Sequence, residues 1–274
     1  MSIEPPLDAP PENARDALRP LAGVEFCPPT DVVQRGYRLR FARTHADLEA
    51  LCRLRFQVFN LELGEGLKES FLQGLDRDPY DQQCQHLMVV EESTGAVVGT
   101  YRLQVAESAE QGLGFYSDGE FDLSRLPAEV RRNSIELGRA CVAREHRSKN
   151  VLFLLWRGLL AYIQGNRRRY FFGCSSLTSQ DPDLGMATYH WLTDRGHVHP
   201  SLSIEPRAGF ECRPTSARQV EPKVEIPTLF GIYLRYGATV LGPPAIDRDF
   251  GTIDFLTLLD IEALDPKTFA SFAG

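Results

Sequence analysis

Residues 135–177 constrain the fold of this chain more than any other stretch. IELGRACVA (135–143) is strand-like, REHRSKN (144–150) is a polar basic loop, VLFLLWRGLLAYIQ (151–164) has helical length and YFFGCSSL (170–177) is strand-like again. Strand, helix and strand in this order make the crossover that joins parallel neighbours within one sheet. The helical run is apolar on nearly all sides, so it is expected to be buried.

The flanking sequence extends the same pattern. YRLRFART (37–44) alternates as a half-buried strand, and residues 45–63 carry apolar side chains at helical spacing. HLMVVEE (86–92) and VVGTYRLQV (97–105) predict a hairpin turning at Ser93–Ala96. Residues 106–134 read as a polar connection. A helix is expected near Leu184–Thr193, a short helix leading to a strand within 226–242, and a closing strand at 252–261. The order implies a mixed α/β (α+β) fold with a central sheet flanked by helices. Residues 1–35 are expected to be a proline-rich tail with one short helix near Glu12–Leu21, and residues 36–274 a single domain.

The chain has 30 basic and 37 acidic residues, a net charge of −7. That balance argues against a nucleic-acid partner, whose binding depends on neutralising phosphates. Its six cysteines show no C-x-x-C spacing, which points to reduced thiols in a cytoplasmic protein rather than a disulfide framework or zinc site. His197 and His199 form H-x-H without an evident third ligand, so no metal is expected. The N-terminus lacks the apolar segment of a signal peptide, and the longest apolar run, VLFLLW, is far short of the ~20 residues of a membrane span.

Against this acidic background, positive charge gathers where the first strand of the crossover feeds its helix. A helix N-terminus presents unpaired N–H groups and a partial positive charge. Arg144, Arg147, Ser148, Lys149 and Asn150 therefore form either a cradle for pyrophosphate or phosphopantetheine, or a solvated basic loop. Strand alternation puts Glu136, Gly138, Ala140 and Val142 on one face. Glu136 is then placed either as a general base for an amine or as the partner of Arg139 or Arg102.

These residues resemble the core of the GNAT N-acyltransferase superfamily. The turn usual there is Q/R-x-x-G-x-G/A, whereas Arg147 and Lys149 replace both glycines here. A narrower branch fits better. The segments LRFQVFNLE, LDRDPYDQQCQHLMVVE, GTYRLQ, ELGRACVAREHR, LLWRGLLAYI, FFGCSS and GIYLRYGATVLGPPAIDRDFGTIDFLTLL occur in the order of the ornithine lipid-forming N-acyltransferases, grouped with hemolysin-like proteins. Acyl-homoserine lactone synthases are more distantly similar. The resemblance covers residues 37–261 and leaves out the tail and residues 195–222.

The resemblance implies transfer of a fatty acyl group, typically 3-hydroxylated, from acyl carrier protein to the α-amino group of an amino acid such as ornithine. The donor would be the carrier's acyl-phosphopantetheine, or acyl-CoA, with no permanently bound cofactor. Arg144, Arg147, Lys149 and the Arg167–Arg169 triplet would supply a docking field for the acidic carrier, although the triplet lies at the far end of the helix. Glu136 would take the amine's proton, and a backbone N–H near Cys141 or Val142 would hold the oxyanion. Substrate-site positions implied by the relatives are Arg55, Asp76, Asp78, Asp81, Arg102 and Arg139. Arg55 and Arg102 either bind a substrate carboxylate or organise the aspartates, and the aspartates can also be loop caps. Asp247, Asp249 and Asp254 suit either a cationic substrate side chain or turn chemistry. Phe56, Phe59, Phe153, Trp156, Phe171 and Phe172 suit either an acyl tunnel or ordinary core. The competing readings are a CoA-dependent GNAT enzyme, an acyl-homoserine lactone synthase, or a non-catalytic membrane-active protein. Because the product would be a lipid, peripheral membrane contact is compatible with the first reading.

Overall fold

The computed structural model describes residues 27–214, 222–267 and 269. The expected helix near Glu12–Leu21 lies outside these residues. The chain runs β1 (Asp31–Gln34), β2 (Tyr37–Phe41), α1 (His45–Phe56), β3 (Gln85–Glu91), β4 (Val97–Val105), α2 (Ala106–Gln111), α3 (Ala128–Arg132) and β5 (Ser134–Val142). It continues with α4 (Lys149–Gly165), β6 (Tyr170–Leu177), α5 (Pro182–Asp194), α6 (Thr228–Arg235), β7 (Thr239–Val240), β8 (Ala245–Asp247) and β9 (Thr252–Asp260). One mixed sheet has the order β1-β2-β3-β4-β5-β6-β9-β7, with β8 also on β9.

The crossover forms as expected, with α4 carrying the chain from β5 to its parallel neighbour β6. Val151, Leu154, Leu155, Trp156, Leu159, Leu160, Tyr162 and Ile163 of α4 are buried and share one core with Leu39, Phe41, Leu87 and Val89 of the sheet. Burying each large apolar side chain contributes about 1.5–3 kcal/mol. The approach is close: a Cβ on Gly158 would lie 2.5 Å from Leu87 Cδ2.

Two departures from the sequence reading have local causes. The helical spacing of residues 45–63 resolves into α1, capped by a Thr44–Asp47 capping box, and a wider π-helical segment, Gln57–Leu63, ending at left-handed Gly64. β1 lies inside the stretch assigned to the tail; it pairs with β2 through a turn at Arg35 and Gly36, both at positive φ.

Two irregularities in β5 open the middle of the sheet. First, β5 and β6 are in register only at Ser134–Tyr170, Ile135–Phe171 and Glu136–Phe172. Beyond that point β5 stays with β4 as far as Val142, while β6 stays with β9 as far as Leu177, so the two parallel strands splay. The fork is tight, since a Cβ on Gly173 would lie 2.2 Å from the Leu137 carbonyl oxygen. Second, the β4–β5 register shifts between Thr100, opposite Cys141, and Arg102, opposite Gly138. At this bulge Arg139 and Ala140 together face the single residue Tyr101, with Arg139 at φ 47°. A bulge leaves backbone groups out of the ladder and re-aims the neighbouring side chain.

Candidate active site

The splay between β5 and β6 opens a cavity of about 290 Å³. Glu136, Leu137, Gly138, Arg139 and Ala140 line one wall, and Phe171 to Ser176 line the other. Its apolar part includes Tyr101, Leu103, Trp156, Phe230, Tyr233 and Leu259. Of the six aromatics considered for an acyl tunnel, Phe59, Trp156, Phe171 and Phe172 line this space. Phe56 instead meets Phe71 edge-on, and Phe153 packs against the main core.

Glu136 sits at the fork, 6% exposed. Oε2 accepts the N–H of Tyr116 at 2.9 Å, and Oε1 accepts the N–H of Ser117 at 2.8 Å and its hydroxyl at 2.7 Å. Burial pushes its carboxyl above the usual glutamate value, and these donors, Ser117 above all, pull part of the way back. Neither Arg139 nor Arg102 forms an ion pair with it. Those arginines belong to a separate buried lattice.

That lattice joins three arginines to three aspartates. Arg55 Nε meets Asp76 Oδ2 at 2.8 Å, and its terminal nitrogens grip Asp81 at 2.8 and 3.1 Å. Arg102 meets Asp78 at 2.6 Å and Asp81 at 2.9 Å. Arg139 meets Asp78 at 2.9 Å, and its Nε lies 3.3 Å from Asp76. All six side chains are at most 7% exposed. Burial alone would raise the Asp81 carboxyl, but Arg55 and Arg102 hold it well below the usual range. Asp78 and Asp81 also form a capping box around Pro79, so capping and ion pairing coexist in them. Arg102 and Arg139 line the cavity, whereas Arg55, Asp76, Asp78 and Asp81 stand behind it.

Tyr116 ties the lattice to Glu136. Its N–H reaches Glu136, its ring lies 5.3 Å from the Arg102 guanidinium and 4.8 Å from that of Arg139, and its hydroxyl is 3.4 Å from Asp247 Oδ2. Sequence reasoning passed over Tyr116 and Ser117 because they lie in the polar connection 106–134, where no periodicity marks them. The stretch FYSDGE, two aromatics followed by polar and turn residues, was the available signal.

Cys141 and Val142 pair with Thr100 and Gly99 in the regular part of the ladder and do not line the cavity. Cys141 packs among Leu54, Val58, Phe59 and Phe250, and burial pushes its thiol up to about 12. The unladdered backbone lies slightly earlier in the strand, at the bulge.

The basic loop is less open than its composition suggested. Arg147 is held bidentately by Glu62 at 2.6 and 2.8 Å and also donates to the Val142 carbonyl at 3.2 Å. Asn150 accepts from Arg35. Among the described residues Arg144 and Lys149 form no ion pair, and Ser148 precedes α4 without a side-chain cap bond. Of the triplet, Arg168 pairs with Glu107 and Arg169 with Asp260 and Glu262.

A second acidic group meets the same cavity through Cys174 and Asp254, with Glu120 behind them. The three bring ligand atoms within 4.8 Å of one another. Burial, then Asp254 and Asp247, push Glu120 well above the usual range, and burial likewise raises Asp254. Glu65, hydrogen-bonded by the Thr178 hydroxyl, lies close enough to feel Asp254. Asp247 accepts the N–H groups of Asp249 and Phe250, which is turn chemistry, and Asp249 itself is exposed. Away from the cavity, His197 stacks on Trp191, and His199 accepts the N–H groups of Ser201 and Leu202. No helix among the described residues is long and apolar enough to cross a membrane.

A family model described as an acetyltransferase (GNAT) domain matches residues 54–157. The L-ornithine N(alpha)-acyltransferase of Brucella abortus is 32% identical over 256 residues, covering 86% of this chain and 88% of that one. The protein of the same name from Rhodobacter capsulatus is 32% identical over 242 residues, covering 84% and 92%. Among solved structures, the acyl-homoserine lactone synthase LasI aligns with a TM-score of 0.45 at 13% identity, over 86% of this chain and 94% of that one. Identity at this level across nearly the whole length of both partners places the chain: it belongs to the L-ornithine N(alpha)-acyltransferase family and is an N-acyltransferase with a GNAT domain.

Proposed function

We propose that the chain transfers a fatty acyl group, typically 3-hydroxylated, from the phosphopantetheine of acyl carrier protein to the α-amino group of ornithine, giving a lyso-aminolipid. The observation that carries this reading is the position of Glu136 at the fork of β5 and β6, facing a cavity lined by both polar and aromatic side chains. The relatives' names support the acceptor.

In this mechanism the donor's pantetheine arm lies in the splay, with its phosphate toward the start of α4, where Arg144, Lys149 and the first amides of the helix offer positive charge. Arg147 contributes by bracing the loop against Glu62 rather than as a free cation. Glu136 removes one proton from the α-ammonium. The amine nitrogen bonds to the thioester carbon, and the carbonyl oxygen takes the negative charge. An N–H of the bulge at Arg139–Ala140 stabilises it, in place of the Cys141–Val142 amides. The intermediate collapses with cleavage of the C–S bond, and the nitrogen's surplus proton leaves with the thiol. The lattice holds the bulge in place, with Arg102 and Arg139 presenting its cationic face to the acceptor's carboxylate. Exposed Phe71 and Leu72 suit peripheral contact with a lipid surface.

The test is to supply 3-hydroxyacyl thioesters of acyl carrier protein and of CoA with ornithine, lysine, glycine or S-adenosylmethionine, and to read products by mass spectrometry. N-acyl-ornithine formed faster from the carrier thioester is expected. A product formed with S-adenosylmethionine alone would replace this reading with that of a signal synthase.

A further inference from the structure

We infer that Glu120 and Asp254, with Glu65 beside them, seat the side-chain ammonium of the amino-acid acceptor. This rests on the proposed reaction at Glu136 and assigns the other end of the acceptor. Glu120 Oε2 and Asp254 Oδ1 are buried oxygens without a hydrogen-bond partner among the described residues. Their side chains belong to residues only 4% and 3% exposed. A buried carboxylate in that state is costly unless a cation or donor completes it.

No arginine or lysine does so here. None of the ion pairs among the described residues involves Glu65, Glu120, Asp247 or Asp254. The neighbouring lattice already balances three arginines against three aspartates. Arg139 is a cation whose field reaches Glu120, but its ion pairs are with Asp76 and Asp78 and not with Glu120. This end of the cavity therefore carries acidic groups with no fixed counter-cation, and Glu120 and Asp254, both raised by burial, hold protons against each other until a cation arrives.

The position suits an amino acid with a terminal amine. Asp254, Cys174, Glu65 and Thr178 line the same cavity as Glu136. Ser117 spans the interval: its hydroxyl donates to Glu136 at 2.7 Å and accepts from Cys174 Sγ at 3.5 Å. Cys174 in turn lies within 4.8 Å of the two carboxylates. An extended diamino acid with its α-nitrogen at Glu136 would direct its distal nitrogen along this line. An ammonium has three N–H donors, and the two bare carboxylate oxygens with the Cys174 sulfur offer three acceptors.

A soft metal ion held by all three groups is the less suitable occupant. It would need a thiolate at Cys174, and burial, together with Glu120 and Asp254, disfavours that form.

The experiment compares ornithine with norvaline, which has the same carbon skeleton but a methyl group where ornithine carries its distal aminomethyl. Wild-type kcat/KM should favour ornithine by about 30-fold or more, the scale of losing one partner of a buried charge pair. Asp254→Asn and Glu120→Gln should each cut that ratio about 10-fold or more by lowering the ornithine value most. Thermal unfolding supplies a second readout. With no fixed cation to lose, each neutral amide should leave Tm equal or higher without substrate, whereas a carboxylate paired with a structural cation would lower it on removal. A wild-type ratio near unity, a ratio unchanged in the folded variants, a fall in Tm of the apo variants, or activity that depends on an added divalent metal would each overturn the assignment. Wild-type failure to acylate any amino acid would instead reject the proposed reaction, and this subsite with it.

Discussion

Substituting Glu136 by Gln separates the catalytic role of this side chain from its structural one. The carboxylate accepts three hydrogen bonds, from Tyr116 N–H, Ser117 N–H and Ser117 Oγ–H, at 2.9, 2.8 and 2.7 Å. A glutamine can keep its carbonyl oxygen toward the two Ser117 donors, but its amide nitrogen then faces the Tyr116 N–H, donor to donor. One buried N–H loses its acceptor, which costs about 1–3 kcal/mol. Urea denaturation should register that loss with an unchanged m-value. Catalysis should suffer separately, with kcat down about 10²–10⁴-fold under conditions where the variant is folded. The pH profile sharpens the test. A base acts when ionised, and burial raises the Glu136 carboxyl above the ordinary glutamate value, so wild-type activity should fall as pH drops through that raised pKa. The acidic limb should vanish in the variant. The stability contribution of this titration has the opposite sense: a raised folded pKa favours the native state in acid and is lost as pH rises through it. A Gln variant that keeps kcat within a factor of a few of wild type, with the acidic limb still present, refutes Glu136 as the base.

Three further outcomes are expected from the packing. Arg55→Met should destabilise the fold by about 3–5 kcal/mol in urea, because Asp76 and Asp81 keep their buried charges without the guanidinium that joins them. Gly173→Ala should cost at least about 1–3 kcal/mol and depress turnover, since its Cβ would lie 2.2 Å from the Leu137 carbonyl oxygen and must force the fork apart; a wild-type Tm would show the fork to be compliant. Burial lowers the His86 pKa to about 4, against an ordinary 6.5. The unfolded state therefore binds the proton first, and about 3 kcal/mol of stability present above pH 6.5 is lost as pH falls toward 4. His86→Gln should flatten the stability profile across that window, measured by urea midpoints at each pH.

What the sequence disclosed and what it concealed divide along physical lines. The crossover was readable because α4 must bury nearly every side and its flanking strands are bounded by charged loops. Glu136 was readable as an acid on an apolar strand at the start of that unit. The short strand Asp31–Gln34 was not, since its stability comes from pairing with β2 rather than from its own alternation. Arg147 looked like a free cation because its partner, Glu62, is 85 positions away. The bulge at Arg139–Ala140 is a property of two strands in register, so no local pattern announces it. Tyr116, Ser117 and Glu120 come from an irregular connection, where burial is set by what folds over the segment rather than by periodicity.

The arginine–aspartate lattice has a consequence for how such an enzyme can diversify. It draws on α1, the loop 76–81, β4 and the bulge of β5, and its charges cancel. Changing any one member strands an unneutralised ion in the interior, so single substitutions there are penalised before they can explore new chemistry. The opposite wall, where acids stand without fixed counterions, carries no such interlock. Natural variation in the choice of acceptor should therefore accumulate around Glu65, Glu120 and Asp254, while the lattice is inherited whole.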